Sequence, residues 1–298
     1  NLVFTSGPPS GGGITLLTAL NILSYFDLAK FKSDSAVTYH LLAEALRRGH
    51  NNRSHFVGDP DYYDVPLAQL LSKERTKELA KTIDLKKATK STVVKPLELI
   101  KESRDTTHYS IVDSEGNAVS NTYTLGYSFG SGVTIPGTGI LMNNQMNNFA
   151  YRYGDKKERG RGASTGNRFE PGKNPMSTMA PTMIFNKKGE LILVTGSPGG
   201  SLIPAAILRV ITGIIDFDLD IGQATMLPRV HKDWPTTGIL YERTLNSDVV
   251  RIINKRIGHK MTPEHTMGST QSIHIINGVN NGYADLRRPG ASVATQEN

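Results

Sequence analysis

The sequence predicts an α+β fold, and three features of its periodicity carry that expectation. Apolar residues recur at helical spacing through much of the first 83 residues. From Thr106 the period changes to strand-like alternation. Further on, a hairpin pattern runs through a glycine loop straight into an apolar helical stretch. With 298 residues, one large unit and two smaller domains are both open.

In chain order, Asn1 to Thr5 reads as a strand already under way, so we expect an amino-terminal portion to precede it. After Pro8-Pro9-Ser10 and three glycines, residues 14–26 carry helical spacing with Ser10 as an early cap, and residues 36–48 repeat the pattern. Gly58-Asp59-Pro60-Asp61 marks a turn, and residues 73–83 form a short charged helix. Residues 84–105 are polar and lysine-rich, the best linker in the chain. Strands at 109–112 and 118–125 flank Asp113 to Asn117, a hairpin turn with a glycine. A glycine-rich loop (126–132), a short strand (139–144) and a long stretch without periodicity (151–175) follow. That last stretch has the length of a lid. Strands Thr182–Phe185 and Leu191–Thr195 then lead through Gly196-Ser197-Pro198-Gly199-Gly200-Ser201 into helix Ile203–Ile215. A helix near 247–257, a strand at 272–276, a turn at 277–282 and a polar tail complete the chain.

Composition excludes several chemistries. The absence of cysteine removes disulfides, thiolate catalysis and cysteine-based zinc sites. No apolar run reaches the roughly 18–20 residues of a membrane span. A net charge of +7 favours acidic partners, but 7% aromatics and scattered basic residues weigh against nucleic acid. The eight histidines lack metalloprotease spacing and no acidic run has calcium-loop spacing, so no metal site is expected. No cofactor motif survives either: no Lys-Ser/Thr follows Gly199-Gly200, and the glycines between Gly160 and Gly166 follow no strand.

Chemistry concentrates at Asp105-Thr106-Thr107-His108. A threonine freed at the start of a buried strand is a nucleophile whose own α-amine serves as base; the plain alternative is an ordinary strand-start threonine. The cleavable-looking linker, the following hairpin and the distant Gly-Gly junction favour the nucleophile, since a strand–glycine–helix junction aims backbone N–H groups at one point. His108 reads as structural. Asn143 to Asn148 holds five carboxamides in six residues, a turn or a polar binding surface.

Thr106 to Ser110, Val112-Asp113 and Gly116 to Val119, then residues 141–149, 175–182, Thr195 to Gly200 and Met267 to Ser272, resemble in order the small subunit of the γ-glutamyltransferases. These are N-terminal-nucleophile hydrolases. Residues 1–105 resemble the carboxy-terminal part of the large subunit, whose amino-terminal part is the missing partner. The resemblance implies a four-layer αββα sandwich in which 1–105 and 106–298 form one unit. It implies autocatalytic cleavage between Asp105 and Thr106, Thr106 as nucleophile, Thr124 as its hydrogen-bond partner, and an oxyanion held by Gly199 and Gly200. Ser177 and Thr178 would receive the substrate α-carboxylate, with Gln145 and position 148 at its α-amine. A γ-glutamyl peptide such as glutathione would be the donor, water or an amino acid or peptide the acceptor, and the location periplasmic or extracellular.

Two positions depart from the family pattern. Gly126 stands where many members have asparagine, which bears on a contact with a lid tyrosine, Tyr151 or Tyr153 here. Asn148 replaces an aspartate that pairs with a free α-ammonium, a charge-assisted bond lost. Poly-γ-glutamate, whose interior amines are amides, or a glutaryl-type acyl group would suffer less. Lys156, Lys157, Arg159, Arg161 and Arg168 fit a polyanion. A third reading is an unprocessed, inactive binding protein.

Overall fold

Hydroxyl and carboxylate caps set where the helices begin. The computed structural model describes residues 1–90, 105–153, 157–159, 165–234 and 238–296, with only the backbone at 151–153 and 157–159. β1 (Leu2–Thr5) is followed by α1 (Gly11–Leu23), α2 (Ala36–Phe56), α3 (Leu67–Leu70) and α4 (Lys73–Lys81). Ser10, Ser35 and Ser72 cap α1, α2 and α4 by accepting from backbone amides in the first turn, each worth about 1 kcal/mol. Next come β2 (Thr106–Val112), β3 (Ala118–Thr124), β4 (Tyr151–Tyr153), β5 (Lys157–Arg159), β6 (Thr182–Phe185) and β7 (Leu191–Thr195). The remainder is α5 (Ile203–Ile215), α6 (Ile221–Met226), β8 (Val230–His231), β9 (Gly238–Glu242), α7 (Ser247–Ile252), β10 (Lys260–Glu264), β11 (Gln271–Ile276) and β12 (Val279–Ala284).

The result is an α+β sandwich. A five-stranded sheet in the order β1-β6-β7-β11-β12 carries helices on one face. Ile184 and Leu193 of that sheet join Leu16 of α1, Leu42 of α2 and Ile207 of α5 in one core, so residues on both sides of Thr106 share it. Each such fully buried side chain contributes roughly 1.5–3 kcal/mol. Alternation turns Val194 and Gly196 to the other face. There the β2–β3 hairpin lies, with the His108 ring against Gly196. Ser120 Oγ donates to the Thr195 carbonyl at 2.9 Å, and Ser110 Oγ donates to the Gln271 carbonyl at 2.8 Å. Helices, sheet and hairpin thus stack as successive layers.

Several expectations need correction. Residues 139–144 form no strand; a single bridge joins Thr134 and Leu141, in a loop whose glycines at 130, 132, 137 and 139 have positive φ. The turn near 277 is only Asn277-Gly278, after which β12 pairs with β11. The polar tail is pinned, because fully buried Asp285 pairs with Arg229 at 2.6 Å and Arg287 with Glu242 at 2.7 Å. The stretch 151–175 contains the short β4–β5 pair. The lid expected there and its Lys156 and Arg161 lie outside the described residues, as do the side chains of Tyr151, Tyr153, Lys157 and Arg159. Of the linker, only 84–90 and Asp105 are described.

Candidate active site

Thr106 opens β2, 5% exposed, directly opposite Thr124 of β3. Its carbonyl accepts from Arg288 Nη1 at 2.7 Å, so the tail holds the strand start. Thr124 Oγ1 donates to the Asp105 carbonyl at 3.1 Å and accepts the Gly126 amide at 3.0 Å. The expected pair therefore meets around the Asp105–Thr106 peptide. His108, pushed down to about 4 by burial, is a neutral ring. Ser110 Oγ already donates to Gln271, so it accepts from His108 Nε2 at 3.1 Å, and Nδ1 accepts from Thr122 Oγ1 at 2.7 Å. With both nitrogens engaged, His108 is structural.

A hydrogen-bond chain carries the site outward. Gln145 Nε2 donates to the Thr124 carbonyl at 3.1 Å, and Asn148 Nδ2 donates to Gln145 Oε1 at 2.7 Å. Asn148 is buried, and its carbonyl accepts from Asn167 Nδ2 at 2.8 Å. Asn167 Oδ1 in turn accepts the Met176 amide at 2.9 Å, fixing the residue before Ser177. The Ser177 carbonyl accepts the Gly11 amide at 2.9 Å, at the start of α1. Gly12 permits that approach: a Cβ there would lie 2.1 Å from the Thr178 carbonyl oxygen. Thr124, Gln145, Asn148, Ser177 and Thr178 are thus linked into one edge of the molecule.

Gly199 and Gly200 follow Gly196, against which the His108 ring lies. Their φ angles of 136° and 58° are ones side chains rarely adopt. Both residues are buried, and among the described residues neither amide N–H has an acceptor. Buried N–H groups without partners are uncommon. Ser197 Oγ accepts the Ser269 amide at 2.9 Å, which ties the glycine loop to the segment before β11.

Gly126 is also explained. At φ 96°, a Cβ would sit 2.1 Å from Asn144 Oδ1, so the Asn144 carboxamide occupies the space a side chain would need. Sequence reasoning missed Asn167 and Arg288, because their partners lie 9 to 182 residues away.

The gamma-glutamyltranspeptidase family profile matches residues 1–295. The chain belongs to the gamma-glutamyltranspeptidase family. It is 40% identical over 274 residues to the glutathione hydrolase proenzyme of Escherichia coli strain K12, covering 92% of this chain and 47% of that protein. It is 33% identical over 290 residues to the acylase ACY 1 proenzyme of Pseudomonas sp. strain SE83, covering 96% and 49%. Among solved structures, the cephalosporin acylase from Bacillus halodurans superposes with a TM-score of 0.82 at 27% identity, covering 99% of this chain and 51% of that one. The chain thus spans about half the length of the curated relatives it matches. Among the described residues no helix is long and apolar enough to cross a membrane.

Proposed function

We propose that this chain forms the catalytic part of a γ-glutamyl transferase and hydrolase that matures by cutting itself before Thr106. One observation carries the reading beyond the family match: the Thr124 hydroxyl donates to the carbonyl of Asp105, the bond that must break. In maturation Thr106 Oγ1 adds to that carbonyl carbon while Thr124 stabilises the oxygen. The amide nitrogen leaves as the free α-amine of Thr106, giving an Asp105–Thr106 ester that water hydrolyses to the Asp105 carboxylate. The α-amine, with an ordinary pKa of about 7.7–8.0, then serves as base when Thr106 Oγ1 attacks a γ-glutamyl amide. The amides of Gly199 and Gly200 hold the oxyanion, each such donor being worth about 3–4 kcal/mol. Water or an amine takes the acyl group from Thr106.

Ser177 and Thr178, at the α1 amino terminus, receive the substrate α-carboxylate, where the helix dipole favours an anion. The substrate is a γ-glutamyl peptide, the partner is the amino-terminal part of the large subunit, and the working location is periplasmic or extracellular. A second reading, poly-γ-glutamate or a glutaryl amide as donor, is favoured by one residue. Asn148 places a neutral carboxamide, already bonded to Gln145, where an α-ammonium would want a carboxylate.

With the amino-terminal half present, intact mass should show two chains divided before Thr106. Thr106→Ala should abolish both the division and turnover; activity retained in that variant would place the nucleophile elsewhere. Initial rates on glutathione, poly-γ-glutamate and a glutaryl amide separate the two donor readings.

A further inference from the structure

A second cluster, sharing no residue with the Thr106 edge, lies where α2 meets β8. His50 of α2, His231 of β8 and Asp233 just beyond β8 bring one ligand atom each to within 4.8 Å of one another. His50 is fully buried, and among the described residues neither of its nitrogens has a hydrogen-bond partner. Its Nδ1 lies 3.5 Å from Asp233 Oδ1, and His231 Nε2 lies 3.8 Å from Asp233 Oδ2. Those separations are long for hydrogen bonds. A tetrahedral ion with bonds of about 2.0–2.2 Å to nitrogen and oxygen spaces its ligands about 3.3–3.6 Å apart, so the His50–Asp233 separation already fits and the His231–Asp233 separation needs to close by a few tenths of an ångström. A fully buried imidazole whose nitrogens make no hydrogen bond is uncommon and asks for a ligand.

We propose that His50, His231 and Asp233 bind a divalent transition metal, zinc by preference, with water as fourth ligand. Two imidazoles and one carboxylate form a donor set of the zinc class. Burial pushes His50 down to about 3, so its ring is neutral and its lone pair open to a metal. The Asp233 side chain, 21% exposed, is the way in from solvent. Arg53 bears on the same carboxylate and opposes a cation there. The ion would tie α2 to β8 as a clasp, with no part in acyl transfer.

The other histidine cluster on α2 is excluded by its bonds. His40, Glu44 and His259 are also close, but Lys232 Nζ sits between them, 3.0 Å from Glu44 Oε1 and 2.9 Å from His259 Nδ1. A cation is already in place there.

The test uses the single tryptophan, Trp234, next to Asp233. Titrating the purified protein with Co²⁺ should quench Trp234 fluorescence and produce tetrahedral Co²⁺ absorption at one ion per chain. Zn²⁺ should displace the cobalt. Asp233→Asn and His231→Ala should each weaken binding at least about tenfold, while acyl transfer in the processed protein keeps its rate. Absence of saturable Co²⁺ and Zn²⁺ binding to the folded protein would overturn the proposal. So would stoichiometric metal retained in the double variant, with folding checked by circular dichroism.

Discussion

Two histidine clusters share helix α2, bury their imidazoles equally, and differ in whether their hydrogen bonds close. At the first, His40 Nε2 lies 2.8 Å from the Asp84 carbonyl, which only accepts, so Nε2 carries the proton. His40 Nδ1 is then an acceptor, and His259 Nε2 donates to it at 2.8 Å. His259 Nδ1 accepts from the Lys232 ammonium, which also reaches Glu44, and Glu44 is held from the other side by Arg48. Every link among these rings has a direction, and all four imidazole nitrogens are engaged. At the second cluster, among the described residues neither His50 nitrogen makes a hydrogen bond, and the nearest polar group is Asp233 Oδ1 at 3.5 Å. Burial alone therefore does not tell a structural histidine from a binding one; the difference is whether a donor and an acceptor remain unmatched.

The largest effect should come from opening the closed cluster. Burial on its own would raise the Glu44 carboxyl, but the Lys232 ammonium and the Arg48 guanidinium outweigh it and hold it at about 2. Glu44→Ala would leave Lys232 and Arg48 buried without the carboxylate that pairs with both, a loss of roughly 3–5 kcal/mol. Thermal unfolding should show a drop of many degrees, or no folded protein. A small drop would mean that water reaches the cluster and that it is not closed.

Acid should attack both clusters, in order. Burial and the Lys232 ammonium push His259 down to about 3, and His50 stands at about 3 through burial. The unfolded chain takes up these protons near the ordinary value of 6.5, before the folded chain does. Stability present above pH 6.5 is therefore lost as pH falls from there towards 3. Glu44 adds a second loss as pH falls from its ordinary 4.5 towards 2. Trp234 fluorescence against pH should show the first loss beginning below 6.5 and the second below 4.5. With Zn²⁺ present the His50 share of the first phase should move to lower pH, because the metal holds that ring unprotonated.

Sequence periodicity located α1, α2 and α4, the β2–β3 and β6–β7 hairpins and the glycine junction, since each depends on neighbours within a few residues, and missed the four-residue α3. The resemblance named Thr106, Thr124, Gln145 and Asn148, which the fold links in a hydrogen-bonded edge. What stayed hidden depends on contacts across the chain. His40 and His259 are 219 residues apart, and Arg288 reaches Thr106 across 182. The β8–β10 sheet escaped because β8 is two residues long and pairs only through β9. Asp285 read as tail because nothing nearby in sequence announces Arg229.

The smallest effect is the sharpest test of the comparison. His40→Leu removes the donor to Asp84 and leaves the His259 N–H without an acceptor, so it should cost about 1–3 kcal/mol. His50→Leu removes a buried imidazole that bonds to nothing, and in metal-free buffer it should change stability by less than about 1 kcal/mol. The two variants alter the same helix by the same chemical step, so propensity and volume effects cancel between them. Denaturant midpoints measured with a chelator and then with Zn²⁺ complete the contrast. Zinc should stabilise the wild type and His40→Leu alike while leaving His50→Leu unmoved, which separates a ring that holds the fold from a ring that waits for a ligand.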